Sequence, residues 1–139
     1  MIELDNRTSF EVNQNLLSKI ANIYTEKEIE LIITDSNEIQ SINKEHRNID
    51  TPTDVLSFPY VDMPMSPLGS IIISLEHIQE KAQELGHSQN DECALLFIHG
   101  LLHLLGFDHE VDHGEMRSEE AKIINMFKLP KSLIIRTQG

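Results

Sequence analysis

Residues 90–105 read NDECALLFIHGLLHLL, and this stretch decides the fold. Nearly every face of a helix over it would be apolar, so the segment is expected to be the buried centre of the domain, with the rest of the chain arranged to cover it. Two polar rings lie inside it. His99 and His103 are four residues apart, which at 100° per residue sets them 40° apart on one helix face, one turn from each other. The reading continues through LGFDH to His109. Gly106 can adopt φ > 0 and end the helix, which lets the chain turn back and carry His109 toward the same point.

Three imidazoles at these spacings suit Zn²⁺. Three protein ligands leave a fourth tetrahedral position for water or substrate, as in catalytic rather than structural zinc sites. A metal also removes the cost of about 1 to 3 kcal/mol for burying an unpaired polar ring. The remaining histidines, His46, His77, His87 and His113, are each read singly as structural residues. Cys93, about 120° from His99 on the same helix, reads as a small buried hydrophobe.

Around this helix the chain alternates short strands and helices. Ile2–Leu4 and Ile29–Thr34 are strand candidates. Between them, Thr8 and Glu11 form a T-x-x-E capping box, followed by Val12, Leu16, Ile20 and Ile23 at helical spacing, predicting a helix to about Tyr24. Asp35 and Glu38 open a second, shorter helix through Ile39 and Ile42 to about His46. Asp54–Phe58 and Gly69–Ser74 read as two further strands. A helix then carries the stripe Leu75, Ile78, Ala82 and Leu85 and stops at Gly86. After a loop at 106–114, a last helix is expected from about Glu115 to Phe127. The expected fold class is α/β (α+β): a single domain over residues 1–139, with a small mixed four-stranded sheet covered by helices and one buried central helix carrying two metal-ligand histidines.

The chain has 139 residues, 40% of them hydrophobic, enough for one core. With 11 Lys and Arg against 23 Asp and Glu the net charge is −12, which argues against gripping nucleic acid or anionic lipid by broad electrostatics. The charge is polarised: through Met116 there are 6 basic and 21 acidic residues, and from Arg117 onward 5 and 2. One cysteine excludes an internal disulfide and any CxxC site. The N-terminus lacks the basic and apolar regions of a signal peptide, and no apolar run reaches about 18 residues, so a cytoplasmic location is expected.

HGLLHLLGFDH, 99–109, resembles the H-G-x-L-H-L-x-G-[YF]-D-H signature of the YbeY family of bacterial rRNA maturation factors. Arg47-Asn48-Ile49-Asp50-Thr51-Pro52-Thr53-Asp54-Val55-Leu56-Ser57-Phe58 is similar to that family's R-x-x-D-x-P-T-[DN]-V-L-S-F segment. Where the family commonly reads L-G-D-I, this chain has Leu68-Gly69-Ser70-Ile71. The resemblance implies a single-strand-specific, zinc-dependent endoribonuclease. It implies one Zn²⁺ held by His99, His103 and His109 with a zinc-bound water as the reactive group, and Arg47 in the active site. Zinc would lower the pKa of bound water to about 7 and polarise a phosphoryl oxygen, while Arg47 offers a planar fork of donors to a phosphate.

Family analogy points to single-stranded rRNA as substrate, to maturation of the 16S rRNA 3′ end and to ribosome quality control. The implied partners are small-subunit ribosomal proteins or an assembly GTPase, and neither a membrane nor DNA. Two alternatives are a zinc-stabilised assembly factor without catalysis and a zinc hydrolase or peptidase. The ligand offsets equal those of metzincin proteases, H-E-x-x-H-x-x-G-x-x-H, but the general-base Glu is here Gly100, which argues against peptidase chemistry. Gly100 itself marks a close approach to the helix, by substrate or by the sheet. Asp108 reads either as a partner of the third ligand or as a loop cap.

Overall fold

The computed structural model describes residues 2–60, 65–108, 113–130 and 132–133. Along them run β1 (Ile2–Asn6), α1 (Gln14–Asn22), β2 (Ile29–Thr34), α2 (Ser36–Arg47), β3 (Val55–Pro59), β4 (Gly69–Ser74), α3 (Leu75–Leu85), α4 (Gln89–Leu104) and α5 (Glu115–Met126). The strands form one mixed sheet in the order β1-β2-β4-β3, with β1, β2 and β4 parallel and β3 antiparallel to β4 at the edge. The α+β architecture with a small mixed four-stranded sheet matches the expectation from sequence.

Two layers of helix explain the strand sequences. All of β4 is buried, because both of its faces are covered and strands lie on both sides. Ile71 and Ile73 join Ile29, Leu31 and Ile33 in the main core with α1, α3, α4 and α5. Ile72 turns to the other face, where it meets Leu56 and Ile39 of α2. The period-2 alternation of a strand thus distributes one apolar run between two cores.

Eleven of the sixteen residues of α4 are buried, which makes it the central helix. Ser88 caps its start by accepting from the Asp91 amide at 3.0 Å. Its end is a Schellman turn: Gly106 at φ 102° donates to the His103 carbonyl at 3.0 Å, and Phe107 to that of Leu102 at 3.0 Å. Gly100 is a point of close approach to the sheet, since a Cβ there would lie 2.9 Å from Ile71 Cγ2.

One expected element starts elsewhere. Thr8 and Glu11 do not cap α1; Asn13 does, accepting from the Leu16 amide at 3.3 Å. The Asn6 side chain captures the Thr8 amide at 3.0 Å and its hydroxyl at 2.7 Å, while the Phe10 amide donates to Thr8 Oγ1 at 3.1 Å, so residues 6–10 fold into a side-chain-bonded turn. Leu17, Ile20 and Ala21 are the buried residues of α1, Val12 and Leu16 pack at the edge of the core, and Ile23 is 43% exposed. The Asp35 cap of α2 forms as read, with Asp35 Oδ1 accepting from the Glu38 amide at 2.8 Å. The Glu38 carboxyl bonds the Thr34 hydroxyl and Arg7 instead of closing the box, and those bonds hold it below the usual carboxylate range.

The two close glycines make a paired prediction. At Gly69 an added Cβ would lie 2.6 Å from both the Phe58 carbonyl oxygen and Leu104 Cδ2. A strand backbone yields less readily than an isoleucine side chain, so Gly69→Ala should destabilise by about 2 to 3 kcal/mol and Gly100→Ala by less, about 1 kcal/mol. Denaturant unfolding of both variants, with equal losses or a larger loss at Gly100, would contradict this packing account.

Candidate active site

A cavity of about 390 Å³ opens beside the C-terminal half of α4. Its walls are Arg47, the 53–57 segment leading into and along β3, and His99, Gly100, His103 and Asp108. The edge position of β3 leaves room for it, since no fifth strand covers that side among the described residues. The segment before β3 is pinned to α2: buried Asn43 donates to the Thr51 carbonyl at 3.0 Å, and Gln40 to Asp50 Oδ1 at 3.0 Å. Asp54 Oδ1 accepts from the Val55 amide at 2.8 Å, fixing the turn into the strand. Arg47, the last residue of α2, is exposed and reaches the cavity just before Asn48 closes the helix in the left-handed conformation at φ 57°.

His99 and His103 sit on one face of α4, as their spacing predicts. Their Nε2 atoms are 3.2 Å apart and their rings meet edge to face with centroids 4.7 Å apart. Two bonds of 2.0–2.1 Å at a tetrahedral angle separate nitrogen ligands by roughly 3.3 Å, so this pair suits a shared divalent cation. Nδ1 of His99 points the other way, to Glu120 Oε1 at 2.9 Å on α5. His109 lies outside the described residues, and among the described residues no three His, Cys, Asp or Glu side chains are grouped to hold a metal. Asp108, its neighbour, lines the cavity.

Sequence spacing thus paired His99 with His103 and the family resemblance added Arg47, all of which line the cavity, but neither pointed to Glu120 or Asn43. The signal for Glu120 was present: Met116, Glu120, Ile123 and Ile124 form the buried stripe of α5, and a carboxylate in such a stripe needs a polar partner. Asn43 is the same kind of case on α2, where it is buried with Ile39.

The other histidines have local partners. His87 is buried between Glu92 Oε1 at 2.8 Å and Ser132 Oγ at 2.9 Å, His77 meets Ser74 Oγ at 3.1 Å, and His46 packs on the Phe58 ring. His113 lines a separate shallow pocket with Phe107 and Glu119. Ser70 faces away from the histidine pair: Gly69 and Ile71 on either side of it approach α4, while Ser70 bonds Glu30 at 3.0 Å and the Tyr60 hydroxyl at 2.7 Å. The missing Asp therefore leaves the cavity's histidine pair untouched.

A family model described as Endoribonuclease YbeY matches residues 2–128. The chain belongs to the YbeY family. It is 63% identical over 139 residues to the Endoribonuclease YbeY of Sulfurimonas denitrificans, covering all of both chains. It is 59% identical to that of Aliarcobacter butzleri, covering 98% of this chain and 99% of the relative. The solution structure of a Thermotoga maritima protein shares the fold, with a TM-score of 0.62 at 24% identity, over 99% of this chain and 92% of that one. No helix among the described residues is long and apolar enough to cross a membrane.

Cys93 reports on the packing of α4. It is buried, and desolvation, with the Glu92 charge adding to it, pushes its thiol up to about 12. Raising the thiol in this way leaves almost no thiolate at pH 8. Alkylation of the native protein at that pH should follow the rate of unfolding, and rapid labelling without unfolding would contradict the packing of α4.

Proposed function

We propose that this chain is a zinc-dependent endoribonuclease specific for single strands, acting in 16S rRNA 3′-end maturation and ribosome quality control, with residues 1–139 as one YbeY-like domain. The observation that carries this reading is the convergence of Arg47 and two imidazoles on one cavity, in a chain whose relatives are named Endoribonuclease YbeY. His99, His103 and His109 would hold the metal in a metzincin-like arrangement. What supports the first two is the 3.2 Å separation of their Nε2 atoms. What supports the third is the turn at Gly106 and the return of the chain to the cavity at Asp108.

Zinc held by these residues would supply Lewis-acid polarisation of a phosphoryl oxygen and would lower the pKa of water at the site to about 7. The chain's own residues do the rest. Arg47 presents two parallel donors to a non-bridging phosphate oxygen pair, and its charge offsets the negative charge gathering on phosphorus in the transition state. The wall 53–57, fixed by Asp54 and by Asn43, gives the strand being cut a rigid side to lie against. Asp54 and Asp108 also place carboxylates at the cavity, the one feature that favours a metallopeptidase, while Gly100 stands where such enzymes carry their base.

The net charge of −12 argues that RNA is not held by its backbone over a wide surface. Small-subunit ribosomal proteins or an assembly GTPase would present the substrate, in the cytoplasm. Binding of arbitrary free RNA at physiological salt should accordingly be weaker than micromolar, and sub-micromolar binding in a filter or anisotropy assay would contradict that mode of delivery.

The activity itself is tested with a single-stranded RNA carrying the 16S 3′ region and zinc-loaded protein. Arg47→Glu and His99→Ala, purified identically, should each lose at least about 10²-fold in cleavage rate, the scale of losing one transition-state donor. Equal cleavage by all three proteins would overturn the proposal, as would cleavage of peptides with none of RNA.

A further inference from the structure

We propose that Glu120 is a positioning residue for His99, one that raises the affinity of the cavity for its metal from a helix that contributes no ligand. The inference rests on the reading of His99 and His103 as ligands and adds the residue that aims one of them. Glu120 lies on the buried stripe of α5 and is 3% exposed. An apolar side chain would pack there at no electrostatic cost, whereas a carboxylate taken out of water costs several kcal/mol unless it is paired. Its partner is the Nδ1 of His99, 2.9 Å from Oε1.

That contact favours one placement of the ring proton. An ionised carboxylate accepts and does not donate, so a neutral imidazole facing it carries its hydrogen on Nδ1 and leaves the lone pair on Nε2. Nε2 is the atom that faces His103 Nε2 at 3.2 Å. The ring is held at both ends, by its place on α4 and by α5, so little torsional freedom remains to be lost when a cation enters. The electron-rich carboxylate also makes Nε2 a stronger donor to a metal, and such outer partners typically contribute 10- to 100-fold in affinity.

A consequence is that α5 and the metal are thermodynamically linked. The Tyr24 hydroxyl bonds Glu119 Oε2 at 2.6 Å, so the same turn of α5 that reaches His99 is also tied to the end of α1. Whatever loosens α5 weakens the hold on His99, and a cation bound at Nε2 tightens the packing of α5.

The test titrates metal-free full-length protein with Zn²⁺ against a chromophoric chelator, for wild type, Glu120→Gln and Glu120→Ala. Both variants should bind zinc 10- to 100-fold more weakly than wild type. The metal-free Glu120→Gln protein should unfold at the wild-type temperature, which separates loss of aim from loss of fold if the alanine variant is unstable. Nitrogen-15 NMR of the metal-free protein should show the His99 proton on Nδ1 in wild type and a mixture of tautomers in Glu120→Ala. Zinc affinities within twofold of wild type for both variants, or an unchanged tautomer, would overturn the role of Glu120. Wild-type protein that takes up no zinc, with His103→Ala behaving identically, would overturn the ligand reading as well, and that result is distinguishable because the loss is already present before Glu120 is changed.

Discussion

The structure depends on the burial of α4. A helix with eleven buried residues in sixteen has no face to give to solvent, so it must lie flat on the sheet and be roofed by other helices. Gly100 permits the flat approach, because the Ile71 side chain occupies the space a Cβ would need. α1, α3 and α5 provide the roof in one shared core. Among the described residues, the enclosure of the C-terminal half of α4 opens next to the edge strand β3, and the two polar rings of α4 emerge there. The cavity is the gap in the cover of an otherwise enclosed helix.

This origin explains the character of the cavity. Most side chains that line it belong to elements already fixed for other reasons: Arg47 to the last turn of α2, Val55, Leu56 and Ser57 to the edge strand, and the histidines to the central helix. Thr53, Asp54 and Asp108 complete it from the adjoining turns, and the Asp54 side chain is bonded to the Val55 amide. The acidity of the chain is compatible with chemistry on a polyanion, because the groups facing the cavity include a guanidinium and two imidazoles, and three neutral histidines carrying Zn²⁺ would add a local charge of +2. On the proposed function, attraction would then be concentrated at the bond to be cut, with the surrounding surface contributing little to holding RNA.

Most of the fold was legible because its elements are strongly patterned. The β-branched runs 29–34 and 69–74 became β2 and β4, and the near-continuous apolar segment became α4. Local hydrogen bonding defeated the reading at Thr8, where the Asn6 side chain bonded the amide and hydroxyl that a capping box would have used. The histidine pair and Arg47 were legible from spacing and from the family motif. Glu120 and Asn43 were not, since each works through a partner on another element or loop, and no local spacing encodes that meeting. A polar residue inside an apolar stripe was the trace each left in the sequence. Ser70 shows the converse: a departure from the family motif that the parity of β4 turns away from the site.

If the cavity is a metal centre, the two imidazoles share an ion. A crystal of the zinc-loaded protein, measured on both sides of the zinc absorption edge, locates that ion directly. One anomalous peak per chain should lie within about 2.1 Å of Nε2 of both His99 and His103, on the cavity side facing Arg47. A zinc-loaded crystal with no peak between the two rings, or with its only peak elsewhere on the acidic surface, would contradict it.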